Sequence, residues 1–178
     1  MALNGTRTLR GALAGAAGAA VWAAQSPLDK RVFGVDYDDV ELLGKLVTRE
    51  PAWLPIGLAA HVGNGALFGA LYANLAPSLP GPRAARGPIF GLVEHLATWP
   101  ATILLERLHP AASDFPDLWG EPRAFAQATW RHALFGFVMG ELERRLNPPA
   151  DSPAPIDDAA VASNGHGSAE HLVTVEPV

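Results

Sequence analysis

The sequence of 178 residues contains no cysteine and only two methionines, and charged residues make up 17% of it. Without cysteine there is no disulfide framework, no thiolate-held zinc or iron–sulfur site and no thiol nucleophile. The shortage of charge sets the chain apart from ordinary soluble domains, in which about a quarter of residues are charged. A basic excess is also missing, since 13 Lys and Arg stand against 18 Asp and Glu. Nucleic-acid binding needs clustered positive charge, so no nucleic-acid partner is expected. Reaction motifs are absent too: the sequence has no GxxxxGK[ST] or GxGxxG phosphate loop, no G-x-S-x-G, no HExxH and no H-x-x-x-H pair. No catalytic residue and no metal site is therefore assigned, and a non-enzymatic role is expected.

The net charge of −5 belongs to one end of the chain. The surplus acids Asp151, Asp157, Asp158, Glu170 and Glu176 lie beyond Leu146, where there is no Lys or Arg, so residues 1–146 hold 13 basic and 13 acidic groups. What the body has in abundance is apolar, with 49% AVILMFWYC and a mean hydropathy of +0.13 over the chain. A helix of about 20 apolar residues crosses a ~30 Å hydrocarbon core. Residues 11–28 carry no Asp, Glu, Lys or Arg, and residues 52–82 form a run of 31 without formal charge. Residues 87–105 are apolar apart from Glu94 and His95, and residues 124–140 apart from Arg131 and His132. These patterns predict an all-α, four-helix transmembrane bundle with spans at about 9–28, 53–76, 87–107 and 123–145. Two readings compete with parts of this. A soluble helical bundle would place a polar stripe on each helix, which the second span lacks. Arg7 and Arg10 ahead of a small-residue run also fit a secretory signal peptide, although the Gly-rich GALAGAAGAA is unlike a Leu-rich signal core.

The connections follow from composition. Residues 36–50 put Val40, Leu43, Leu46 and Val47 on one side of a helix with Asp36 or Asp38 as N-cap, which suits an amphipathic helix lying along the membrane surface. The Pro-rich residues 77–86 predict an antiparallel hairpin between spans two and three. Residues 106–123 form a longer connection with Phe115 and Trp119, and His109-Pro110 reads as a turn. Residues 147–178, rich in Pro, Ala, Ser, Gly and acid, read as a disordered acidic tail. Alternating spans put all five Trp towards one end of the bundle, as an interfacial belt would. Basic residues divide six against six between the two ends. The group in short segments close to the spans places both termini in the cytoplasm.

Inside the spans lies a polar layer. Counted from the Trp-rich end at 1.5 Å per residue, His61, Glu94, His95, Arg131 and His132 all come to about 12–17 Å depth. Each His continues a small-residue stripe at four-residue steps: Gly57, His61, Gly65 and Gly69; Gly87, Gly91 and His95; Ala128, His132, Gly136 and Gly140. Gly11, Gly15 and Gly18 make a similar face on the first span, and small faces let helices approach closely. Glu94 and Arg131 are the expected ion pair, because a lone charge in hydrocarbon costs at least ~2.5 kcal/mol. The layer has two readings. In the structural one, the three His with Asn64, Gln127 and Thr98 are interhelical hydrogen-bond glue. In the functional one it is an intramembrane site that handles a proton or small solute. A haem-binding redox protein using His pairs as axial ligands is the alternative class; otherwise no cofactor is expected.

The chain resembles small four-span bacterial inner-membrane proteins, of which the YagU-type proteins are one branch. The resemblance rests on Gly-Ala-x-Ala-Gly at residues 11–15, HVGNGALFGALY at 61–72, GPIFGLVEHLATWP at 87–100 and His-Ala-Leu-Phe-Gly at 132–136, and covers roughly residues 9–146. It implies a multi-pass helical bundle in the bacterial cytoplasmic membrane, with the lipid bilayer as its partner and no catalytic residues. A homo-oligomer is expected because four spans are few for a transporter.

Overall fold

The computed structural model describes residues 4–148, so the expectation of a disordered tail at 147–178 falls outside the described residues except at its first two positions. Among the described residues there are helices and turns but no strand. The helices are α1 (Gly5–Phe33), α2 (Asp39–Lys45), α3 (Trp53–Leu75), α4 (Arg83–Thr98), α5 (Thr102–Leu108) and α6 (Pro122–Leu146). Helix α1 is longer than its charge-free stretch. It continues through Pro27 to Phe33, where Gly34 closes it in the left-handed conformation with φ 69°, and so carries Asp29 and Lys30 on its last turns. The expected third span is divided into α4 and α5 by a single 3-10 turn at Trp99–Ala101, where Pro100 has no N–H to continue the ladder.

Helix α1 is central, with α3 against one side and α6 against another, and α4 packs on α6. The contacts are made by glycine. A Cβ on Gly11 or Gly15 would overlap the carbonyl oxygens of Gly69 or Gly65, and one on Gly87 or Gly91 those of Gly136 or His132. Backbones touch there, so the pairs run antiparallel at a closeness that a side chain would forbid. Gly18 instead meets the ring of Phe135 on α6, and Gly57 the Val40 carbonyl. A core of Trp22, Tyr72, Phe135 and Met139 fills the space where α1, α3 and α6 meet. At one end Arg7 ties three helices together, donating from Nε to the Ala73 carbonyl and from Nη2 to Glu143 Oε1 at 2.6 Å.

Helix α2 is shorter than the amphipathic segment expected over 36–50. Asp38 is its N-cap, accepting from Val40 N at 2.8 Å. Val40 and Leu42 are buried while Leu46 and Val47 lie exposed beyond its end. It is docked on α3, with Gly44 against the Trp53 backbone. His109 is more than a turn residue. It is buried, its Nδ1 accepts from Ala111 N, and its Nε2 therefore carries the hydrogen donated to the Leu42 carbonyl at 3.1 Å. The loop after α5 is thereby fixed to α2.

Two helical stretches, Trp53–Ser78 and Arg83–Leu108, are long and apolar enough to cross a membrane, against four spans expected. Helices α1 and α6, at 29 and 25 residues, have the length. They fall short in hydropathy because α1 is mostly Ala and Gly with Arg7, Arg10, Asp29, Lys30 and Arg31, and α6 carries Arg123, Arg131 and four charges in its last six residues. Trp22, counted in the expected interfacial belt, is a core residue, 7% exposed.

Candidate functional site

Arg131 and His132 are neighbours on α6 and so point about 100° apart around the helix. The two residues enter different environments. Arg131 faces α1 and is fully buried. Its guanidinium grips Asp29 with two bonds, Nε to Oδ2 at 2.7 Å and Nη2 to Oδ1 at 2.6 Å, and reaches Asp39 Oδ2 at 3.0 Å, Ser26 Oγ at 3.2 Å and the Tyr37 carbonyl at 2.9 Å. Asp29 is also filled by Gln25 Nε2 at 2.6 Å and Gln127 Nε2 at 2.9 Å. Asp39 takes the Trp22 indole N–H and the Tyr37 hydroxyl. Burial and the Asp39 carboxylate hold the Tyr37 phenol well above its ordinary range, so it stays a donor. The expected Glu94–Arg131 pair is therefore not formed. Arg131 closes the end of α1 and the start of α2 onto α6, and Gln127 belongs to this cluster rather than to the histidines.

Glu94 pairs instead with His132, whose Nε2 lies 2.9 Å from Oε2. The other nitrogen of His132 fixes the proton count. Nδ1 is 2.7 Å from the Ala128 carbonyl, and a carbonyl oxygen only accepts, so Nδ1 carries a hydrogen. The Nε2–Oε2 contact must then contain one proton, present as imidazolium with carboxylate or as imidazole with carboxylic acid. Both forms have zero net charge. Thr98 Oγ, bonded to the Glu94 carbonyl at 2.9 Å, lies 3.4 Å from Oε1.

His95 stacks on His132 with ring centroids 4.8 Å apart and planes inclined at 33°. The Thr129 hydroxyl donates to the Phe125 carbonyl at 2.7 Å, so it accepts from His95 Nε2–H at 3.0 Å. His61, on α3, is buried with Nε2 unpartnered among the described residues, edge-on to Trp22. Trp22 also contacts His132 at 4.7 Å and so stands between the two rings.

These residues surround a cavity of about 250 Å³, bounded by His61, Asn64, Glu94, His95 and His132 with Trp22, Phe68, Trp99 and Phe135. Tyr37, Asp39 and Leu42 bound it from the α2 side. Helices α3 and α4, although joined by a short loop, hardly touch each other. The cavity occupies the gap between them, and Asn64, Thr98 and Ala101 are exposed at its rim. Sequence reasoning found the three His, Glu94 and Asn64, and missed Trp22, Asp29, Asp39, Tyr37 and Thr129.

Neither the His95–His132 pair nor the His61–His132 pair fits an axially ligated haem. His95 and His132 are in ring-to-ring contact with no space for a macrocycle, and Trp22 fills the space between His61 and His132. Among the described residues no group of three His, Asp or Glu side chains could hold a metal ion. Comparison with protein families, with curated proteins and with solved structures gives no match, so function is argued from this geometry.

Proposed function

We propose that the protein is a non-enzymatic, four-span integral membrane protein whose Glu94–His132 pair handles a proton at the wall of an intramembrane cavity. The observation that carries this is the single proton held between Nε2 and Oε2 where the pair borders the cavity. A neutral pair with two proton positions tolerates an apolar surrounding, because neither form leaves an uncompensated charge. The outer surface supports the membrane reading. Only 22% of the apolar window of α3 and 11% of that of α4–α5 is buried, where the core helix of a soluble protein would be mostly covered. Leu67, Val93, Leu96 and Leu104 point outwards, and lipid would cover them. Helices α1 and α6 cross in spite of their lower hydropathy because α1 is flanked by α3 and α6, and α6 by α1 and α4.

On this reading the protein sits in the bacterial cytoplasmic membrane with both termini inside, as its resemblance to YagU-type proteins implies, and associates as a homo-oligomer. Resistance to alkaline carbonate extraction tests the membrane assignment, and cysteine accessibility mapping on the Cys-free chain tests the spans. For the proton, infrared difference spectra of purified protein across a pH titration should contain a carboxyl band that disappears in Glu94→Gln. A spectrum identical in that variant would leave the pair a purely structural contact.

A further inference from the structure

We propose that the cavity between α3 and α4 binds a small aromatic monocation from the lipid phase and releases a proton in exchange. This rests on the proton-handling reading of the same site. Its walls combine two features that attract positive charge. One is the Glu94 carboxyl; the other is a set of rings, Trp22, Phe68, Trp99 and Phe135, whose faces stabilise cations. Among the described residues no Lys or Arg bounds the space, and Arg131 is turned away into the Asp29 and Asp39 carboxylates. At about 30 Å³ per water, 250 Å³ equals roughly eight waters, which suits a single-ring molecule. The opening lies midway along α3 at Asn64 and beside Thr98 and Ala101. In a membrane it faces lipid, so an occupant arrives by partitioning into the bilayer, and it must be apolar over most of its surface.

Charge balance sets the stoichiometry. With its single proton the Glu94–His132 pair is neutral. When a cation takes the carboxylate, the Nε2 proton of His132 leaves to water, the ring stays neutral with Nδ1–H on the Ala128 carbonyl, and the site is neutral again. The only covalent bond broken is the one that holds the shared proton, N–H in the imidazolium form and O–H in the carboxylic acid form. The other groups that face the pair are His95 on α4, His61 on α3, and Tyr37 and Asp39 before and in α2. His95 donates to Thr129, His61 is separated from the pair by Trp22, and Asp39 is held by Arg131, the Trp22 indole and Tyr37, so Glu94 and His132, in direct contact, are the groups that exchange.

The test uses detergent-purified full-length protein and calorimetric titration with benzyltrimethylammonium, in two buffers of different protonation enthalpy, beside its uncharged isostere neopentylbenzene. Expected are saturable binding of the cation, weak or no binding of the isostere, and about one proton released per cation. With one proton exchanged, affinity should fall about tenfold for each unit that pH is lowered while the pair holds its proton. Glu94→Gln should lose the cation by at least tenfold, and His132→Gln should shift the pH range over which the proton is released, because the Glu94 carboxyl then holds it alone. Equal binding of the isostere, no proton release, or no binding of the cation to the unmodified protein would each overturn the proposal, and none of these depends on a variant folding. A Glu94-dependent infrared band without cation binding would leave the proton reading standing and remove this one. Cation binding without that band would remove the proton reading and, with it, the exchange proposed here.

Discussion

The two neighbouring residues of α6, Arg131 and His132, sit in two polar sites of opposite character. Around Arg131 most donors and acceptors are filled: two carboxylates, a hydroxyl and a backbone carbonyl take the guanidinium, two glutamines donate to Asp29, and Arg131 and Asp29 are buried while Asp39 keeps 22% exposure. Around His132 a single proton joins two side chains that keep partial exposure to a cavity, 15% for His132 and 21% for Glu94. Saturation fixes a structure because no state without those bonds is available at similar energy. An incompletely filled site can change protonation or accept a ligand without unfolding what surrounds it. The comparison assigns stability to the first cluster and exchange to the second.

The largest effect should come from breaking the saturated cluster. Arg131→Ala leaves Asp29 and its polar neighbours buried without their counter-charge, and removal of one partner from such a pair costs about 3–5 kcal/mol. Unfolding of the detergent-solubilised protein by denaturant or heat should show that loss. Glu94→Ala should cost markedly less, and the double variant should show the sum of the two losses to within about 0.5 kcal/mol, because Glu94 and Arg131 share no hydrogen-bond partner. Strong non-additivity would mean that the two sites are one network. Next in size is the helix packing that holds both sites in place. Gly15→Leu places a side chain against the Gly65 carbonyl and should destabilise by roughly 1–3 kcal/mol or more, whereas a change at Gly63, which has open space around it, should leave the melting temperature nearly unchanged.

How much of this was visible beforehand depends on the kind of interaction. The long helices follow from apolar runs, and the four-residue spacing of Gly65 and Gly69 or Gly136 and Gly140 already marks one face of each helix, the face that meets a neighbour. The depth of His61, Glu94 and His132 could also be read, since rise per residue is fixed. Rotation about the helix axis could not. Glu94 and Arg131 lie at similar depths, but the position beside Arg131 is the one turned towards α4, so charge matching alone selected the wrong partner. Asp29 was hidden for a different reason. The charges after Leu28 look like the start of a linker, yet α1 continues for five residues beyond that point and carries Asp29 back into the bundle. Asp39 acts across 92 positions of sequence, and only tertiary structure brings it near α6.

A finer separation of the two sites comes from His132→Gln. The amide can still donate from Nε2 to Glu94, so the hydrogen bond survives while the second proton position is lost. Stability should change by about 1 kcal/mol or less, within the net worth of a typical hydrogen bond. The Glu94-dependent infrared band should shift or disappear from the titration. A large stability loss here would class the pair with the Arg131 cluster. The comparison would then fail at its more consequential member.

The smallest effect lies outside both sites, at the ion pairs that join α2 to the loop after α5. Asp114 receives Lys45 Nζ at 2.8 Å and the Arg49 guanidinium. The hydrogen bond from Lys45, followed by the charge of Arg49, holds its carboxyl below the usual range, and the Lys45 ammonium is raised in turn, first by Asp114 and then by Glu41. A depressed carboxyl contributes stability above its unfolded pKa and loses it as pH falls through the folded value. Hydrogen exchange in residues 46–52 should therefore be faster in Asp114→Asn than in the unmodified protein at neutral pH, and the difference should close as pH drops through the carboxylate range. The cavity bounded by Leu42 and Asp39 lies on the same helix, so a change in cation affinity in this variant would show that α2 acts as a movable wall. Unchanged affinity would show that His109, bonded to the Leu42 carbonyl, is sufficient to hold that wall in place.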